Sequence, residues 1–261
     1  MQFQELLNSL LFSNVMPDTF IEGCIWVIEK YGTLFIKGFL NTLILAITGT
    51  VFGLMLGLVI SLIRQSTITE RDGFIQKAVK KTGHFLSIVY IQYLRGTPML
   101  VQAMIVHLII SNAGYRMESM ALGIIVISVN TSAYMAEILR SSINGIDKGQ
   151  LEAARALGMT QNEGMRYFVL PQAIKHAIPS IGNEFVTNAK DSSVLNVIMV
   201  AELFYQAKII GQITYRSLEP LIIVSLIYLT ITLASTYILN KIEKYMDTPK
   251  ENHLSPKEHL S

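Results

Sequence analysis

Residues Phe39 to Ile63 form an unbroken run without a single charged side chain. No other feature limits the fold of this chain so strongly. A helix rises about 1.5 Å per residue, and about 20 apolar residues cross a hydrocarbon core about 30 Å thick. Met120 to Leu139 and Leu218 to Leu239 meet the same test. Two further segments are long enough but interrupted. Phe85 to Ile110 is broken at Arg95-Gly96-Thr97-Pro98, and Ile178 to Tyr205 carries Glu184, Lys190, Asp191 and Glu202. The chain is 51% hydrophobic and 15% charged, whereas soluble domains carry about 25% charge. These patterns predict an all-α membrane protein with about five transmembrane helices.

The opening stretch, residues 1–34, is moderately apolar, but acids and a proline interrupt it. It reads as an outer or interfacial segment, followed by a membrane domain over 35–245 and a polar tail over 246–261. It has no basic leader and no small-residue cleavage site, so no cleaved signal is expected. Cys24 is the single cysteine, so no intrachain disulfide can form. No internal repeat is visible. With five spans the two ends lie on opposite sides. The segments 64–83, 140–175 and the chain end from Lys241 on hold fourteen lysines and arginines, and the opposite side holds five. Basic residues stay inside, so the N-terminus is expected outside and the tail inside.

The cytoplasmic segment contains "EAARALGMTQNEGMRYFVLPQA", Glu152 to Ala173. Leu151, Ala154 and Leu157 recur at helical spacing, and Gly158 follows where a left-handed helix end suits glycine. Thr160 and Glu163 are spaced as a capping box for a second helix. That helix is expected to stop near Pro171. Neither helix is long enough to be stable alone, so this helical hairpin must pack on the membrane domain or on another protein.

Polar residues within spans are costly and usually face a cavity or the bundle interior. Glu184, Thr187, Asn188 and Asp191 follow i, i+3, i+4, i+7 and share one helix face. The carboxylates of Glu184 and Asp191 are separated by roughly 10 Å along the axis. This face is expected to line a substrate pathway. The alternative is a structural ion pair of Asp191 with Lys190 or Arg95. Asn130 and Tyr134 are pathway candidates on a second face, whereas Glu137, within i+3 reach of Arg140, reads as structural. Arg95 lies at a helix break, where exposed backbone can hold ions or ligand termini. It could pair with an amino-acid carboxylate, or it could reach for the inner interface. Two acids on one face would suit a ligand with an extra cationic group, which favours arginine, lysine or histidine over glutamine.

The chain has no G-x-x-x-x-G-K-[ST] stretch and no G-x-S-x-G, and its five histidines lack metal-ligand spacing. No enzymatic activity, cofactor or metal is expected.

The hairpin resembles the "EAA" loop of ABC importer permeases: Glu152, Ala153 and Ala154, then Gly158, then Leu170 and Pro171. Phe168 stands where that pattern usually has isoleucine or valine. "YLRGTPMLVQ" (Tyr93 to Gln102), "NTSAYMAEILR" (Asn130 to Arg140) and "GNEFVTNAKDSSVLNVIMVAEL" (Gly182 to Leu203) resemble further motifs of the polar amino-acid branch, over about residues 35–245. The resemblance implies that the hairpin is a coupling helix seated on a separate cytoplasmic ATPase subunit. It also implies an extracytoplasmic substrate-binding protein, a second permease copy or close homologue, an amino-acid substrate, and residence in a prokaryotic cytoplasmic membrane. A secondary transporter would need paired inverted repeats and more spans. A scaffold or sensor would not need a polar face at mid-membrane.

Overall fold

The computed structural model describes residues 17–66 and 72–247, and every regular element among them is helical. Helix α1 spans Phe20–Gln65, α2 Phe74–Gly96, α3 Met99–Asn112 and α4 Ser119–Asn144. The hairpin contains α5, Lys148–Ala156, and α6, Gln161–Gly164, which passes through a π turn at Met165–Val169 into α7, Leu170–Asp191. A 3-10 segment, Ser192–Ile198, leads to α8, Leu203–Thr214, and then to α9, Leu218–Asp247.

Three helices, α1, α4 and α9, are long and apolar enough to cross a membrane. The count reaches five if each of two bent pairs is one span. These pairs are the interrupted segments of the sequence. The α2–α3 pair bends by 110° at Thr97-Pro98, and the run from Gln161 to Ile198 bends by 49° against α8.

The largest interface is between α1 and α4. Gly49, Gly53 and Gly57 recur every four residues along α1 and face Ile127, Thr131 and Met135 of α4. A Cβ at Gly53 would lie 2.6 Å from Thr131 Cγ2, and one at Gly57 would lie 2.6 Å from Met135 Cβ. Hydrophobicity cannot drive two helices together in lipid, so close backbone approach through small residues does it instead. A second cluster packs Trp26, Val27 and Phe35 of α1 against Leu203, Ala207 and Ile210 of α8 and Ile223, Val224 and Ile231 of α9.

Two boundaries differ from the sequence reading. Helix α1 starts at Phe20, capped by the Thr19 hydroxyl, and runs through residue 34 without a break. Pro17 lies ahead of the cap and outside α1, and the buried side of Trp26 and Val27 makes residues 20–34 part of the packed bundle. Residues 1–16 and most of the expected tail, 248–261, lie outside the described residues. The second hairpin helix also does not stop at Pro171. The chain widens into the π turn just before it, where Leu170 N–H donates to Met165 O, and Pro171 falls in the first turn of α7. A proline there needs no N–H donor, and the wider turn relieves its clash with the preceding backbone.

Candidate functional site

The hairpin is built as its residues dictate. Gly158 has φ +86°. Gly158 N–H donates to Arg155 O at 3.0 Å and Met159 N–H to Ala154 O at 3.2 Å, the paired bonds of a Schellman end. Thr160 N–H donates to Glu163 Oε2 at 2.8 Å, and Glu163 N–H returns to Thr160 Oγ1 at 3.3 Å. The Thr160 N–H and then its hydroxyl hold the Glu163 carboxyl below its ordinary range. Buried Ala154 and half-buried Leu151 close on Gly164, where a Cβ would sit 2.8 Å from Leu151 Cδ1. Gly164 is a contributor that the spacing argument did not single out. Ile146, Val169 and Ala173 form the core that anchors the hairpin to α4 and α7. Glu152, Ala153, Leu157, Gly158, Tyr167, Leu170 and Pro171 are exposed. An acid and several apolar side chains of the hairpin are thus left exposed among the described residues.

The four polar residues of α7 separate according to what packs against them. Asn188 is buried and accepts from the Thr131 hydroxyl at 2.8 Å while donating to Thr50 Oγ1 at 3.0 Å. It ties α7 to α1 and α4 and faces the protein interior in this conformation. Thr187 is half-buried and donates back to Asn183 O at 3.1 Å. Glu184 is half-buried and Asp191 exposed, and neither makes an ion pair among the described residues. The expected alternative, a salt bridge of Asp191 with Lys190 or Arg95, does not form. Glu184 lies within electrostatic range of both Asp191 and Arg95.

Arg95 occupies the last turn of α2 with its guanidinium 5.3 Å from the centre of the Tyr134 ring. Both line a cleft of about 360 Å³, with Arg64, Gln92 and Glu137 on its walls. Glu137 is paired with Arg140 and, at 2.5 Å, with Arg64, in keeping with its structural reading. Asn130 is buried and donates to Gln102 Oε1 at 2.9 Å. Like Asn188, it ties helices together, and it is not among the residues that line the cleft.

One acid that the sequence offered only as an interruption proves central to the packing of α8 against α9. Glu202 is fully buried, caps α8 through the amides of Phe204 and Tyr205, and accepts from the Tyr228 hydroxyl at 2.6 Å. Local sequence did not mark it, since the favoured N-caps are serine, threonine, aspartate and asparagine rather than glutamate.

With this geometry in view, the likenesses to known proteins are consistent. Residues 73–247 match the family described as binding-protein-dependent transport system inner membrane component. The chain is 36% identical over 210 residues to the arginine transport system permease protein of Bacillus subtilis (strain 168), covering 80% of this chain and 90% of that one. It is 32% identical over 215 residues to the probable glutamine ABC transporter permease protein of the same organism, covering 82% and 94%. Among solved structures, an amino acid ABC transporter with histidines matches with a TM-score of 0.78 at 37% identity, over 88% of this chain and all of that one. The methionine transporter MetNI, in inward-facing form, matches with a TM-score of 0.63 at 18% identity, a likeness of fold alone. The chain therefore belongs to the binding-protein-dependent transport system inner membrane components, as an ABC transporter permease of the polar amino-acid type.

Proposed function

We propose that this permease carries a polar amino acid inward along the exposed side of α7, powered by a separate ATPase seated on the α5–α6 hairpin. One observation carries the reading. Glu184 and Asp191 lie on a helix of a candidate bent span, and neither has an ion-pair partner among the described residues. A lone carboxylate facing lipid costs roughly 2.5–3.5 kcal/mol on insertion scales. An aqueous path, or a second permease enclosing one, removes that cost. Arg95, above the Tyr134 ring, supplies a cation for the substrate carboxylate, and Glu184 supplies an anion for its ammonium group. Asp191 then remains for a second cationic group. That favours a basic substrate, in keeping with the arginine relative, although a glutamine relative is similarly close.

Partners follow from the same surfaces. The exposed acid and apolar residues of the hairpin suit a groove on a cytoplasmic ATPase. A substrate-binding protein delivers the amino acid from outside, and a second permease, identical or homologous, covers the open side of α7. The orientation that places the hairpin inside rests on the basic residues of 64–83 and 140–175. Reconstituted complex in proteoliposomes, with ATPase and binding protein, tests the substrate directly. Uptake of arginine exceeding that of glutamine supports the basic preference, and the reverse order overturns it.

A further inference from the structure

The break between α2 and α3 has its own repair. In an uninterrupted helix the carbonyl of Leu94 would accept from the N–H of residue 98. Residue 98 is proline and has none. The amide of Gln102, one turn into α3, reaches back and takes its place. Gln102 Nε2 donates to Leu94 O at 2.9 Å, and it also meets Thr97 O at 3.1 Å and Thr97 Oγ1 at 2.8 Å. The Gln102 side chain is itself oriented, because its Oε1 accepts from Asn130 Nδ2 at 2.9 Å. Asn130 also approaches Leu94 O, at 3.4 Å. Both amide side chains are buried. Three elements are thus fastened at one point, and the fastened backbone is the turn that carries Arg95.

Arg95 itself has no hydrogen bond or ion pair among the described residues, and its contact is the face of Tyr134. A long side chain held by one ring contact depends on its backbone for aim. We propose that Gln102 is a positioning residue for carboxylate recognition: by closing the carbonyls that Pro98 leaves open, it fixes the Leu94–Thr97 turn so that Arg95 points into the cleft beside Tyr134. This rests on the reading of Arg95 as the group that meets the substrate carboxylate. The break is then a rigid corner rather than a hinge, and Asn130, a pathway candidate by sequence, acts at one remove through Gln102.

The experiment uses the permease–ATPase complex without its binding protein, so that only the membrane site discriminates. Radiolabelled L-arginine and L-glutamine are each competed with their α-carboxamides, giving a carboxylate preference as a ratio of dissociation constants. Arg95→Gln should lower that preference at least about tenfold, the loss of one charge-assisted bond. Gln102→Leu should lower it about threefold or more, the size of one interhelical hydrogen bond. On the Arg95→Gln background, Gln102→Leu should lower it no further, because two residues acting through one group are not additive. A preference that is absent from the unaltered complex, or that survives Arg95→Gln, overturns the reading of Arg95. A preference lost in Arg95→Gln but kept in Gln102→Leu overturns the positioning role alone, even if both ligands bind more weakly. Should Gln102→Leu fail to assemble, Asn130→Ala frees the Gln102 amide by a milder route. A lowered preference there supports the proposal, and an unchanged one overturns it.

Discussion

At the scale of single residues, the polar groups within the spans divide into those that hold helices together and those left over. Periodicity put Glu184, Thr187, Asn188 and Asp191 on one face, and they do share one helix. A helix face is wide enough, however, to touch two neighbours and a cavity at once, so the same pattern holds a buried tie and an unpaired acid. Asn188→Leu should cost about 1 kcal/mol or somewhat more of thermal stability, since two interhelical bonds to Thr131 and Thr50 are lost. Transport per assembled complex should stay near normal. A normal melting point combined with lost transport would return Asn188 to the pathway. Glu184→Gln keeps the size and removes the charge. Arginine and glutamine uptake should both fall at least about tenfold, because each substrate presents the α-ammonium group that Glu184 meets. Equal, undiminished rates for both would place Glu184 at a packing surface.

At the scale of elements, the glycines were read at the hairpin turn and passed over in α1. Gly158 was legible because a chain reversal needs a positive φ, and local sequence marks it. The Gly49–Gly53–Gly57 stripe was hidden in a run whose apolar character alone decided its assignment. Its meaning depends on Thr131 and Met135, some eighty residues away. Gly57→Leu should therefore destabilise the chain by about 1–3 kcal/mol or more through overpacking against Met135 and Ser132. An unchanged melting temperature of the purified complex would speak against that packing. Gly158→Val forces a β-branched side chain into the left-handed region and should abolish coupling while membrane insertion persists. The Thr160–Glu163 cap adds a pH dependence. Because the folded carboxyl titrates below its unfolded value, its contribution is present at neutral pH and is lost as pH falls through the lowered value. Hydrogen exchange at the amides of 160–164 should quicken there relative to Glu163→Ala, which has no carboxyl to titrate.

At the scale of the whole molecule, the number of apolar runs was readable and their shapes were not. Hydropathy cannot tell a straight span from one folded by 110°, because Thr97-Pro98 opens a corner only where Gln102 and Asn130 can close its carbonyls. The proposed orientation rests on the basic residues alone. Cysteine labelling should find residues 148–164 inside and 111–119 outside, and an outside label on the hairpin would undo both topology and mechanism. The account joins that topology to one engine: a hairpin that transmits ATP hydrolysis to a polar path along α7. Uptake into proteoliposomes holding the permease with its ATPase, with binding protein outside and ATP or a non-hydrolysable analogue inside, tests this most directly. Arginine or glutamine should accumulate above its outside concentration only with hydrolysable ATP, and Gly158→Val should abolish that accumulation in a complex that copurifies normally. Accumulation that continues without ATP hydrolysis, or at full rate in Gly158→Val, would contradict the account.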